Sequence, residues 1–167
     1  ETITGGSVAD TVVFGAAVTG ATVDLGQGND ALVFSAEGGT VSVANVETVT
    51  GSGVDDEVTL VGAAAGLSVD LGDGADRLVL ADFDNTLVVS NVEGLTGSAH
   101  SDRVTLGSQV VSGTLDLAGG ADSLTLGNFD NTVTVANIET VTGNLGSDTV
   151  VLGGAVTGAV VDLSDGD

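Results

Sequence analysis

Seven aspartates stand where their spacing could do chemistry: Asp10, Asp30, Asp56, Asp76, Asp102, Asp122 and Asp148. Three of them close a glycine-rich acidic turn set before an alternating apolar run. These are the stretches 24–34 (DLGQGNDALVF), 70–80 (DLGDGADRLVL) and 116–126 (DLAGGADSLTL), and a fourth copy opens at Asp162 (DLSDGD). Stacking such turns at one corner would set carboxylates about one strand spacing apart, roughly 4.8 Å. Like charges that close repel strongly in a partly dehydrated site. A divalent cation between neighbouring turns removes the repulsion. A donor set of carboxylates and turn carbonyls, with no His or Cys in it, points to calcium over zinc. The competing reading has no metal, each Asp capping its own turn through backbone N–H groups.

The remaining polar residues suggest less chemistry. His100 occupies a turn position held by Val or Gly elsewhere and reads as an exposed substitution. Arg77 and Arg103 each follow one of the seven aspartates, and Glu57 with Arg77 would make a modest surface pair across coils. Asp24, Asp70, Asp116 and Asp162 read as a solvated face. Asp82, Asp84 and Asp130, around Phe83 and Phe129, read as a protruding acidic loop able to contact a neighbour. There is no Ser/His/Asp or Cys/His set, no phosphate loop and no aromatic-lined cleft. The paired carboxylates recur in every unit, whereas catalysis usually needs one unusual site, so the segment is not expected to be an enzyme.

The elements that must position these aspartates come from a repeat. Glu1, Glu47, Glu93 and Glu139 open the phrases ETITG, ETVTG, EGLTG and ETVTG at a spacing of 46 residues. The chain divides into units 1–46, 47–92 and 93–138 and a partial unit 139–167, read as one repeat domain within a longer solenoid. Inside each unit the phrase TG-x4-D-x-V-x-(L/F) matches the DLGxGxD phrase, so that Asp10 corresponds to Asp30, Asp56 to Asp76 and Asp102 to Asp122. The unit thus splits into a shorter half, from the first phrase to the second, and a longer half that leads to the next unit. Both halves read strand, tight turn, strand, and the longer half adds one more strand ending at Asn45, Asn91 or Asn137. Apolar residues alternate with polar or small ones, as in half-buried strands. No helix is expected. Rungs that cannot bury their faces alone describe an all-β, parallel β-solenoid of the β-roll or β-helix kind. Each 46-residue unit would make two coils, about seven coils in all, forming a rod roughly 35 Å long.

Composition narrows the partners. With 24 acidic residues against two basic ones the formal charge is −22, which argues against nucleic acid and against an anionic membrane surface. So much like charge calls for high salt or bound cations if the chain is to fold compactly. Aromatics are 2% of the chain and Cys, Pro, Met, Trp and Tyr are absent, so the core must be thin layers of Ala, Val and Leu. No apolar run is long enough to insert in a membrane. The absence of Met suggests a processed chain or a piece of a longer one. The stop inside the fourth acidic turn suggests that more solenoid, or another molecule, covers the end.

LGQGNDALV, LGDGADRLV and LAGGADSLT resemble the nonapeptide GGxGxDxUx of RTX (hemolysin-type) calcium-binding repeats, in which U is a large apolar residue. NVETVTGSGVDD and NIETVTGNLGSD resemble segments that flank such repeats in large bacterial surface proteins. The resemblance implies a parallel β-roll with Ca²⁺ between adjacent turns. The carboxylates would be those of Asp30, Asp76 and Asp122. The carbonyls would come from around Gly26–Gly28, Gly72–Gly74 and Ala118–Gly120. Asp10, Asp56, Asp102 and Asp148 fit the motif less well, because Val8, Val54, His100 and Gly146 stand at its inner position. The eighteen-residue coil of RTX proteins is shorter than either half of the unit read here, and Leu25, Leu71 or Leu117 replaces the first glycine.

The implied function is a structural, calcium-rigidified rod of a secreted or cell-surface bacterial protein, as adhesin stalk, surface layer or filament. Its partners would be copies of itself, flanking repeats or a cell-surface polysaccharide. The alternatives are an ice- or surface-binding solenoid using the T-x-T pairs Thr2/Thr4, Thr48/Thr50 and Thr140/Thr142, or an RTX folding and secretion module of a larger enzyme.

Overall fold

A computed structural model describes residues 1–154 and 158–164. In chain order the strands are β1 (Thr2–Gly6), β2 (Thr11–Val13), β3 (Val18–Gly26), β4 (Ala31–Val33), β5 (Gly39–Ala44) and β6 (Thr48–Ser52). Then come β7 (Asp56–Leu60), β8 (Ala65–Gly72), β9 (Arg77–Val79), β10 (Thr86–Ser90), β11 (Gly94–Ser98) and β12 (Arg103–Leu106). The last six are β13 (Gly113–Ala118), β14 (Ser123–Thr125), β15 (Thr132–Ala136), β16 (Thr140–Thr142), β17 (Thr149–Leu152) and β18 (Val160–Asp162). Among the described residues there is no helix. The odd-numbered strands form one nine-stranded sheet and the even-numbered strands another. Every pairing is parallel, as in β1 with β3 or β6 with β8. This is the expected all-β parallel solenoid.

The winding differs from the two coils per unit expected above. Each 46-residue unit contains five strands, β1–β5, β6–β10 and β11–β15. With two strands to a turn, a unit makes two and a half turns, so one turn averages about 18 residues. Strand pairing follows two main offsets, with a register shift where β3 meets β5 and where β8 meets β10. Thr2 pairs with Thr22 and Glu57 with Arg77, the same offset of 20 that separates Asp10 from Asp30. Ala31 pairs with Thr48 and Arg77 with Gly94, the offset of 17 that separates Asp30 from Glu47. No coil is therefore as long as the longer half of the unit. That half is three strands, and in a two-sided solenoid a third strand begins the next turn. Nine strands per sheet, against about seven coils expected, make a rod roughly 40 Å long.

The half-turn has a consequence for every repeated phrase. The opening phrase of the first and third units lies in the odd sheet (β1, β11), that of the second and fourth in the even sheet (β6, β16). Successive units are therefore related by about half a rotation along the rod. Thr2 and Thr4 face outward on one sheet, Thr48, Thr50, Thr140 and Thr142 on the other.

The core is the space between the sheets. Val23, Leu25, Val43, Leu78, Leu115 and Leu117 from the odd strands meet Leu32, Val49, Leu71, Val104 and Leu124 from the even ones, all buried. At the N-terminal end Phe14 and Phe34 meet edge-on with ring centroids 5.9 Å apart, a favoured aromatic geometry. The coils approach so closely that some positions admit no side chain. A Cβ on Gly51 would lie 2.2 Å from the Leu71 carbonyl oxygen, and Gly5, Gly97 and Gly143 stand likewise against Leu25, Leu117 and Leu163. This explains the invariable glycine of the phrase T-G in all four units.

Candidate functional site

The aspartates sit in the turns that cross between the sheets, and those turns lie on two opposite edges. Crossings from odd to even strands carry Asp10, Asp30, Asp102 and Asp122; crossings from even to odd carry Asp56, Asp76 and Asp148. The expected single row of seven is thus corrected to short stacks that alternate edges, because each unit adds half a turn. Asp76 neighbours Asp56 but lies on the edge opposite to Asp102. Of the fourth acidic turn, Asp162 ends β18, and residues 165–167 lie outside the described residues.

Within a stack, each turn is tied to the next by a backbone N–H donating to a side chain one coil on. The N–H of Asp10, Asp56 and Asp102 donates to Oδ1 of Asp30, Asp76 and Asp122, each at 2.7 Å. The N–H of those three then donates to Oε2 of Glu47, Glu93 and Glu139 at 2.7, 2.9 and 2.8 Å. The result is three acid stacks, Asp10–Asp30–Glu47, Asp56–Asp76–Glu93 and Asp102–Asp122–Glu139. The glutamates were not among the residues expected at the site. Their constant offset of 17 from Asp30, Asp76 and Asp122 is the signal that locates them.

Two classes of aspartate separate by how their oxygens are used. Asp56 accepts at Oδ1 from the Gly39 N–H and at Oδ2 from the Ser52 N–H and hydroxyl. Asp102 accepts at Oδ1 from the Asn85 N–H and Nδ2 and at Oδ2 from the Ser98 N–H. Asp10 Oδ2 accepts from the Gly6 N–H. These are caps, part in their own turn and part in the coil before. Asp30, Asp76 and Asp122 differ: each is about 1% exposed, and the Oδ2 of each is buried with no hydrogen-bond donor. Asp148 shares this orphaned Oδ2, while its Oδ1 holds Asn131.

An unpaired buried oxygen carries its full desolvation cost. Burial is the main cause that pushes the Asp76 carboxyl from 3.8 up to about 6; the Asp56 N–H opposes it, and the charges of Asp56, Glu93 and Asp55 add to it. Asp122 is likewise raised to about 6, mainly by burial, opposed by the Asp102 N–H and reinforced by the charges of Asp102 and Glu139. A cation or a proton at Oδ2 would relieve that cost.

The glycines of the turn are shaped around this carboxylate. Gly26 and Gly72 both have φ +87°, and Gly28, Gly74 and Gly120 have φ +157°, +153° and +142°. A Cβ on Gly74 would meet Asp76 Oδ1 at 2.7 Å and the Val54 carbonyl carbon at 2.9 Å, and one on Gly28 would meet Asp30 Oδ1 and Val8 in the same way. At the third turn Ala118 takes the Gly26 position with φ +66°. Among the described residues no three Asp, Glu or His side chains close around one point. A calcium ion, which takes six to eight oxygens, would rest here on one or two carboxylates with backbone carbonyls and water. The buried, donor-less oxygen of Asp30, Asp76 and Asp122 fits that role; both oxygens of Asp56 and Asp102 already accept hydrogen bonds.

Where a coil has no aspartate at the capping position, asparagine takes its place. Asn85 and Asn131 are buried, and each accepts from a backbone N–H in the preceding coil (Ala64 and Val110, both 3.0 Å). Their Nδ2 groups donate to Phe83 and Phe129 carbonyls, which holds Phe83 and Phe129 half-exposed on the protruding loops. Asp84 and Asp130 in those loops accept from the N–H of Ser101 and Ser147 in the following coil. His100 is exposed, with its nitrogens 3.9 and 3.8 Å from Asp82 and Asp84. Asp24, Asp70 and Asp116 are not simply solvated: each accepts at 2.7 Å from Nδ2 of Asn45, Asn91 or Asn137 one coil on. Those asparagines are left-handed, with φ 52°, 54° and 52°. Glu57 and Arg77 are strand partners, but the expected ion pair is not formed: among the described residues the charged contacts within 4.0 Å are those of His100 with Asp82 and Asp84.

No protein-family model, curated protein or solved structure matches the chain.

Proposed function

We propose that the chain is a segment of a calcium-stiffened, RTX-like β-solenoid rod belonging to a secreted or cell-surface bacterial protein, with a scaffolding and not a catalytic role. The observation that carries the reading is the buried, donor-less Oδ2 repeated at Asp30, Asp76 and Asp122. A repeated orphan carboxylate in a chain of formal charge −22 with no cysteine calls for a counter-ion, and a carboxylate oxygen suits a hard cation. Coil offsets of 17 and 20 bracket the eighteen-residue RTX coil, which removes one departure from that family.

Copies of the chain or flanking repeats are the proposed partners, with the half-exposed Phe83 and Phe129 on the acidic loops of Asp82, Asp84 and Asp130 as the proposed contact. As adhesin stalk, surface layer or filament the rod would hold its flanking parts apart, with cell-surface polysaccharide a candidate contact.

Thermal unfolding followed by circular dichroism tests the reading. Calcium at millimolar concentration should raise the melting temperature over that in EDTA. The variant D30N/D76N/D122N, which keeps an oxygen for each Oδ1 hydrogen bond, should lose that response. Equal melting with calcium and with chelator would remove the proposal.

A further inference from the structure

We infer that the cation sits on the glutamate side of each DLGxGxD turn, between Asp30 and Glu47, Asp76 and Glu93, and Asp122 and Glu139, so that each 46-residue unit holds one ion on alternating edges of the rod. This rests on the calcium reading above and goes beyond it. The resemblance to RTX repeats implies an ion between successive aspartate turns, here between Asp56 and Asp76 or Asp102 and Asp122.

The hydrogen bonds argue for the other side. Both oxygens of Asp56 and of Asp102 already accept from N–H or hydroxyl donors, so a metal there would compete with those caps, while Asp10 accepts at Oδ2 from the Gly6 N–H. Asp76 Oδ1 is held by the Asp56 N–H, which leaves the buried Oδ2 alone to bind. Glu93 brings its carboxylate to the backbone of Asp76 by accepting that N–H at Oε2. Among the described residues no donor reaches Oε1 of Glu47, Glu93 or Glu139. Each site therefore offers one oxygen from Asp and one from Glu, and two negative charges match a divalent ion. The pairing also agrees with the lack of any three-acid convergence, the rest of the shell being carbonyl and water oxygens.

In this arrangement the glutamate does two things. It fixes the DLGxGxD turn against the first strand of the next unit, since the Asp30 and Asp76 carbonyls accept from Thr48 and Gly94 at that strand's start. It also supplies the second charge. An ion there would clamp the junction between units, where the shorter of the two coils closes.

Isothermal titration with calcium chloride on the whole chain at neutral pH tests this. The wild-type protein should take about three ions, one for each DLGxGxD turn followed by its glutamate. E47Q/E93Q/E139Q keeps an oxygen to accept each aspartate N–H, so its metal-free circular dichroism should match wild type. Its calcium affinity should fall roughly tenfold or more, as expected when the ligand charge is reduced. Unchanged affinity and ion count in the glutamine variant would overturn the inference while leaving the calcium reading intact. A wild-type chain that takes up no calcium would overturn both.

Discussion

Asp76 accepts the Asp56 N–H with one oxygen and leaves the other in a buried place without a donor. Its pKa, raised from 3.8 to about 6, gives the metal-free protein a definite pH dependence. The folded state holds this proton at pH values where the unfolded chain has released it. Stability must therefore fall as pH rises from about 4 through about 6, and the penalty is fully present above that window. Asp122 acts in the same direction. In EDTA, calorimetry should give a higher melting temperature at pH 4.5 than at pH 7.5; calcium should raise the pH 7.5 value and leave the pH 4.5 value nearly unchanged. A melting temperature in EDTA that climbs steadily over that interval would contradict the assignment. The aspartates were legible in the sequence because their turns recur. Their division into bonded caps and orphaned oxygens was not, since it depends on which N–H groups the neighbouring coil presents. Asn85 and Asn131 were hidden for the same reason: only stacking shows that they stand in the place of an aspartate.

The strands were read correctly, five per unit from a two-strand half and a three-strand half, but the coils were not: two per unit were expected and the chain winds two and a half. What the sequence did not reveal is how they close. Identical phrases 46 residues apart look like equivalent positions on one face, yet an odd number of strands in a two-sided coil sends them to opposite faces. The spacing of Asp30 and Glu47 was visible, but it becomes a coil length only once Ala31 pairs with Thr48. Close coil stacking makes a sharp mutational forecast. Gly51→Val sets a side chain against the Leu71 carbonyl oxygen, 2.2 Å from the new Cβ, and should destabilise by about 3 kcal/mol or more, as overpacking with backbone displacement does. Gly53→Val, where nothing lies within 4 Å of the new Cβ, should cost under about 1 kcal/mol. Urea denaturation of the two variants compares them directly; equal midpoints would argue against coils this close.

At the scale of the whole molecule, the half-turn per unit gives the rod two equivalent acidic edges instead of one. Acid stacks on the same edge recur after five turns, about 24 Å, and those on opposite edges are offset by about 12 Å along the rod. Such edges repel one another until cations neutralise them, so association should depend on calcium, and added monovalent salt, which screens the same repulsion, should weaken that dependence. Light scattering should show larger particles with calcium than with EDTA; a monomer of unchanged size in both would remove self-association from the account. The central claim concerns where the ions lie, and anomalous diffraction from crystals grown with calcium observes that directly. The account predicts a peak beside Oδ2 of each of Asp30, Asp76 and Asp122, with the Asp76 peak on the edge opposite to the other two. A single file of peaks along one edge, or no peak at these three carboxylates, would contradict it.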